Sequence, residues 1–510
     1  MFDRRKWKCA AFLTALVMLA ATAALSFWRE SRTCMGVRIL TQTQMSEYTD
    51  YVPGDFSWEM RYNEERAAVD VHTSAIYIAQ DIREGVQAKD LDGRLRIDHA
   101  GYQIYFAPDP WFSDLNGAVE EGHRFALIVT DGSREYMQYD VVFTTLPVLR
   151  LDGDPARLDE EGRTVSEGEV CLWTPNDPDS GRYSVKSSRT EFHVRGETTS
   201  YMEKAPWKLS LKDKTGGNRD LAFLGMGADD DWILNSLSLD DTKLKERLFM
   251  DLWNGMAAEM DGNWKMSAGE YVEVVNGGRY MGIYLLQRRL DAKYLELEAG
   301  DILLKGQSTS KAEQVSDAYE VVSSPLSGEE TCALAAGVWD RSDCSILRID
   351  NFVDVTLFLQ YAAAQDNTRY KNMFYVLREG EAGYEMSMIP WDTDLSFGVV
   401  WNDGFDYDYA ASLEMLVRRR EYAAMEQLYP DLNQRLAERW SQLREDVLSL
   451  ENVLSVLRNA EAPLVSSGAS LREWERWPPF YEGEDTVENL YRIAEEKLLW
   501  MDAYYQPYLS

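Results

Sequence analysis

The feature that most constrains this chain is an uncharged stretch from Cys9 to Trp28 preceded by Arg4, Arg5, Lys6 and Lys8. A helix needs about 20 apolar residues to cross a bilayer, because the backbone polar groups inside lipid must be bonded internally. The stretch meets that length, and its basic flank favours the cytoplasmic side. Everything after Arg29 is therefore expected outside the cytoplasm. Two fates are open to the segment. Ala21 and Ala23 form a small-residue site at which a secretory signal could be cut. The length of the run and its Phe27-Trp28 end suit an uncleaved single-pass anchor in the cell membrane instead.

A chain of 510 residues exceeds one core and is expected to hold two or three domains. An apolar share of 45% and an aromatic share of 12% exclude a disordered or collagen-like chain. The formal charge of −33 excludes broad nucleic-acid binding, which needs a basic footprint. The same acidity repels free ATP at long range, so a nucleotide site here must be locally basic or use a divalent cation. Cys9, Cys34, Cys171, Cys332 and Cys344 lack zinc-site spacing, and His72, His99, His123 and His193 are scattered among them. Cys332 and Cys344 close a short loop, either as a disulfide in an oxidising compartment or as two buried thiols.

Three regions follow. Residues 1–34 are a basic tip and anchor. Residues 35–145 carry short apolar runs, such as Ala75 to Ile78, Gly101 to Phe106 and Phe125 to Val129, broken by Asn116-Gly117 and Asp131-Gly132. That pattern reads as an antiparallel, sandwich-like β domain serving as a spacer or interaction module. Residues 146–510 mix strands and helices. Trp207, Leu209 and Leu211 alternate with polar residues as in a half-buried strand, and Leu244, Leu248, Leu252 and Met256 recur at helical spacing within Asp240–Met260. Asn276-Gly277-Gly278 joins two apolar strands as a hairpin, and a second hairpin runs from Met373 to Ile389 after a buried helix at Phe352–Ala364. From about Glu421 the chain is mainly helical.

The most unusual segment runs from Gln365 to Gly398. Asp366 follows the buried helix, Asn372 opens the second hairpin, and that hairpin returns the chain to Asp392 and Asp394. Three carboxylates and an amide would meet at one end of a two-stranded unit. Phosphoryl transfer uses such a group: one Asp receives the hydroxyl proton, while an Asn and another Asp hold Mg2+ on the phosphates. Capped surface turns would give the same spacing, so the pattern alone leaves both readings open. Upstream, the polar loop from Arg195 to Ser200 leads into Lys204 and Lys208; it could cover phosphates or be an ordinary hairpin, and it is not a Walker loop.

Taken together, these segments resemble the CotH kinase family, the spore coat protein H-like atypical protein kinases. The resemblance rests on Arg195-Gly196 through Lys204, and on Leu224-Gly225-Met226 followed by Asp231-Trp232-Ile233-Leu234-Asn235. It rests also on Asn276-Gly277 with Tyr280, Gly282, Tyr284, Leu285 and Leu286, and on Pro390 to Gly398. It implies an α+β fold: an atypical protein-kinase-like domain with a helical C-terminal part, here preceded by the β-sandwich-like domain and the transmembrane helix. It implies ATP as substrate, Mg2+ as cofactor, and Ser/Thr of envelope or coat proteins as acceptors. Carried over by position, Asp366 is the catalytic residue, and Asn372, Asp392 and Asp394 are the metal ligands. Arg195, Lys204, Lys208, Lys305 and Trp391 are the nucleotide-binding residues. Two positions depart from the family pattern. A Glu usual after the Tyr-Leu-Leu strand is replaced within Gln287-Arg288-Arg289, and Lys245 stands for an Arg. These departures sustain the alternative of a catalytically inactive, kinase-like scaffold of the cell envelope.

Overall fold

A computed structural model describes residues 33–509, apart from 154–157, 160–161, 197, 261, 308–313, 369–370, 381–382, 401–403, 406–419 and 482. The expected membrane anchor lies outside the described residues; among those described, no helix is long and apolar enough to cross a membrane.

The N-terminal region is built on a six-stranded sheet. Its strands β1 (Ala68–Asp70), β2 (Ala75–Ala79), β3 (Gln103–Phe106), β4 (Arg124–Thr130) and β5 (Glu135–Thr144) lie in the order β1-β2-β5-β4-β3, and Asp50–Tyr51 adds to β5. The sheet is mixed rather than antiparallel, because β5 runs parallel to β2 and to Asp50–Tyr51. Asn116-Gly117 is not a hairpin turn. It lies in helix α1 (Leu115–Glu120), where Asp114 accepts a hydrogen bond from Gly117 N and caps the first turn.

Seven strands then close into a barrel: β6 (Val148–Asp152), β7 (Ser166–Asp177), β8 (Arg182–Val194), β9 (Trp207–Lys212), β10 (Asp231–Asn235), β11 (Gly269–Asn276) and β12 (Arg279–Arg288). Helix α2 (Lys245–Ala257) separates β10 from β11. The order round the barrel is β6-β7-β8-β9-β10-β12-β11, with β11 closing on β6 in parallel. Side chains of a strand alternate between faces. Leu149, Leu151, Val170 and Leu172 therefore fill the barrel, while Val148, Cys171 and Trp173 join the core of the N-terminal sheet. Tyr280 stacks on Tyr77 across that junction at 4.3 Å. In the β11–β12 hairpin Asn276 pairs with Arg279, so the two positive φ angles fall on Gly277 and Gly278, where a missing Cβ removes the steric cost.

Beyond the barrel, β13 (Ile302–Gly306), β14 (Tyr319–Ser323), β15 (Met373–Gly380) and β16 (Gly383–Pro390) form a sheet in the order β14-β13-β15-β16. Helix α3 (Gly328–Asp340) precedes α4 (Ile349–Ala362). Helix α4 is buried around its circumference, from Asn351 to Ala362, between the sheet and the C-terminal helices. Those helices are α5 (Arg420–Leu428), α6 (Leu432–Glu445), α7 (Leu450–Ser466), α8 (Ala469–Arg476) and α9 (Val487–Tyr505). Cys332 and Cys344 are both buried free thiols.

Helix α8 returns to the barrel. Arg472 grips Glu273 with two bonds of 2.8 Å, Glu473 accepts from Ile283 N at 2.8 Å, and Trp477 donates to Met281 O at 2.9 Å. These contacts join the last part of the chain to the β11–β12 hairpin.

Candidate active site

The β15–β16 hairpin has its turn near Gly380 and Gly383 and its open end at Met373 and Pro390. Asn372 immediately precedes the first strand and Trp391 to Asp394 follow the second, so the ladder itself brings Asn372 and Asp392 to one place. Asn367 fastens this end: its amide donates to Asn372 O at 2.8 Å and to Trp391 O at 2.7 Å. Trp391 N donates to Asn372 O at 2.9 Å.

Asp366 arrives from the other side. Helix α4 stops where Ala363 takes a left-handed φ of 49°, and one 3-10 turn, Gln365–Thr368, carries Asp366 to the hairpin. Phe397 N bonds Ala362 O at 2.9 Å, which closes the segment after the hairpin onto the end of α4. Asn372 then donates to Asp366 Oδ2 at 2.9 Å and to Asp392 O at 3.4 Å. Asn372 and Asp392 hold left-handed φ angles of 56° and 57°. Asn and Asp tolerate that region better than most residues, and such backbone strain concentrates at functional sites.

The electrostatics are those of crowded carboxylates. Burial raises the pKa of Asp392; Arg195 lowers it, Asp366 raises it, and Lys371 and Lys305 lower it. Asp394 is pushed well above the usual carboxylate range by burial, then by Asp392, Glu246 and Asp366. Lys371 Nζ lies 3.0 Å from Asp366 Oδ2. The site thus joins Asp366, Asn372, Asp392 and Asp394 to a basic rim of Arg195, Lys305 and Lys371. An all-oxygen set of carboxylates and one amide fits a hard divalent cation, and positive charge would relieve the repulsion that raises Asp392 and Asp394.

Lys204, Lys208 and Trp391 are engaged by other partners. Lys204 is buried against Glu473, with Lys243 Nζ 3.5 Å from the same carboxylate. Burial drives Lys204 down to about 7 against the pull of Glu473. Lys208 points away from the barrel interior and pairs with Asp231 at 2.9 Å, because β9 alternates and Trp207, Leu209 and Leu211 take the inside. Trp391 is 4% exposed and packs edge-on against Phe374 at 5.6 Å, with the Arg195 guanidinium 5.9 Å from its ring. Its ring is therefore packed into the core.

Sequence reasoning passed over three contributors. Lys371 adjoins Asn372 and was within reach of the motif. Asn367 is the neighbour of Asp366, yet its bridging of two carbonyls depends on the folded hairpin. Glu246 comes from α2, 147 residues before Thr393, and bonds Thr393 N at 2.8 Å.

Set beside known proteins, residues 192–501 match the family model described as CotH kinase protein, a span from the end of β8 to α9. No curated protein sequence matches the chain.

Proposed function

Because the chain belongs to the CotH kinase family, and so carries an atypical kinase-like domain of a kind that uses ATP and a divalent metal, we propose that it is a membrane-anchored kinase. It transfers the ATP γ-phosphate to Ser or Thr of envelope or coat proteins outside the cytoplasm. The observation that carries this reading is the meeting of Asp366, Asn372 and Asp392 at the open end of one hairpin.

In this reading Asp366 accepts the proton of the attacking hydroxyl, and Lys371 and the Asn372 amide keep its carboxylate oriented. Asn372, Asp392 and Asp394 would hold the metal. When bound, Mg2+ supplies charge neutralisation on the phosphates. Arg195 and Lys305 give the locally basic surface that a chain of net charge −33 needs to retain a nucleotide. The Cys9–Trp28 stretch supplies the anchor.

One observation favours the second reading, an inactive scaffold: Lys204 and Lys208 are engaged by Glu473 and Asp231 rather than by the aspartate cluster. Incubation of the full chain with γ-labelled ATP and Mg2+ separates the two. A kinase incorporates label into itself or an envelope extract and loses this in Asp366→Ala; a scaffold leaves both proteins unlabelled.

A further inference from the structure

Two aspartates separated by one residue need that residue held firmly if both are to serve one ion. The residue is Thr393, and it is wholly buried. Its N–H donates to Glu246 Oε2 at 2.8 Å, its hydroxyl donates to the same oxygen at 3.0 Å, and its carbonyl accepts from Ser396 Oγ at 2.7 Å. Glu246 is itself 1% exposed and sits in the first turn of α2, where the helix dipole favours an anion. Its other oxygen accepts from Gln287 Nε2 at 3.1 Å. A buried carboxylate normally sits beside a cationic partner, since stripping its hydration is costly. The hydrogen-bond partners of Glu246 among the described residues are the neutral groups of Thr393 and Gln287.

We propose that Glu246 is a positioning residue for the metal site: it clamps Thr393 so that Asp392 and Asp394 present their carboxylates to one divalent cation. This rests on the reading of those aspartates as metal ligands. Gln287 has a matching part, for its amide orients Glu246 from the barrel strand β12. A Glu at position 287 would set two buried carboxylates against each other, whereas the amide donates. The barrel and the catalytic hairpin are thereby coupled through one carboxylate.

Partners that orient metal ligands cost about 10- to 100-fold in metal affinity when removed. The test is direct titration of the full chain with Mn2+, following free Mn2+ by electron paramagnetic resonance, with thermal melting in parallel. Glu246→Gln keeps the volume but meets the Thr393 N–H with a weaker acceptor, so Mn2+ binding should weaken about 10- to 100-fold. Thr393→Val removes the hydroxyl bond alone and should weaken Mn2+ binding in the same direction, which keeps the test open if the first variant does not fold. A wild-type protein that binds Mn2+ and variants that bind it equally well would overturn the role of Glu246 and leave the metal site standing. A wild-type protein that binds no Mn2+ would overturn both.

Discussion

Asn372 donates its side-chain amide to Asp366 Oδ2 at 2.9 Å, so the proposed metal ligand and the proposed proton acceptor are directly bonded. Asp366 lies in the 3-10 turn after α4 and Asn372 just before β15, so the bond ties together two points of the segment that links those elements. It orients the Asp366 carboxylate and leaves the Asn372 Oδ1 for the proposed metal.

Asp366→Asn should therefore abolish transfer while leaving the fold and nucleotide binding in place. A positioned base contributes about 100- to 10,000-fold. The expected result is loss of label incorporation on that scale, with an unchanged melting temperature and an unchanged affinity for a non-hydrolysable ATP analogue.

Asn367→Ala removes the amide that bonds Asn372 O and Trp391 O. Asn372 O keeps its bond from Trp391 N, whereas Trp391 O loses the bond from the Asn367 amide. Stability should fall by about 2 kcal/mol, the cost of a buried group deprived of its partner. Denaturant unfolding measures this, and activity should fall further than the unfolded fraction explains.

Gly282 has a φ of 85°, and a Cβ there would run into Glu473 Oε2. Gly282→Ala should displace Glu473 from Ile283 N and from Lys204, weakening the docking of α8 on the barrel. A loss of about 1–3 kcal/mol is expected from the backbone strain alone. The denaturation midpoint checks it.

Much of this was legible in the sequence, and the rest was hidden for physical reasons. The Gly-rich turn at 276–278, the alternation of Trp207, Leu209 and Leu211, and the buried helix before Asp366 are local patterns that chain geometry expresses directly. The parallel pairing of β2 with β5 was not legible, because the two strands are separated by the rest of the sheet and no turn records their direction. The partners of Lys204 and Lys208 were hidden likewise: Glu473 lies 269 residues away, and Asp231 is supplied by a neighbouring barrel strand. Motif order pointed to Asp366, Asn372 and Asp392 and to Arg195 and Lys305 beside them; Lys371 was the cation it passed over.

Burial pushes the Lys497 ammonium down to about 7, near the face of Trp500 at 4.6 Å. A lysine in the unfolded chain titrates near about 10.4. Below pH 7 it is charged in both states and the native state bears the full cost. Between those values the unfolded state binds more protons, so this contribution to stability rises with pH. Lys497→Met should raise the melting temperature most at pH 6 and progressively less towards pH 10. An equal gain at both ends would exclude titration as the cause.

The proposed phosphoryl transfer depends most on Asp392 and its neighbours holding a divalent cation against a nucleotide. Calorimetric titration of the full chain with ATP, in Mg2+ and again in excess chelator, addresses this directly. The prediction is binding in Mg2+ that is lost on chelation and lost in Asp392→Asn. Binding of equal strength with and without the metal, or none in either condition, would contradict it.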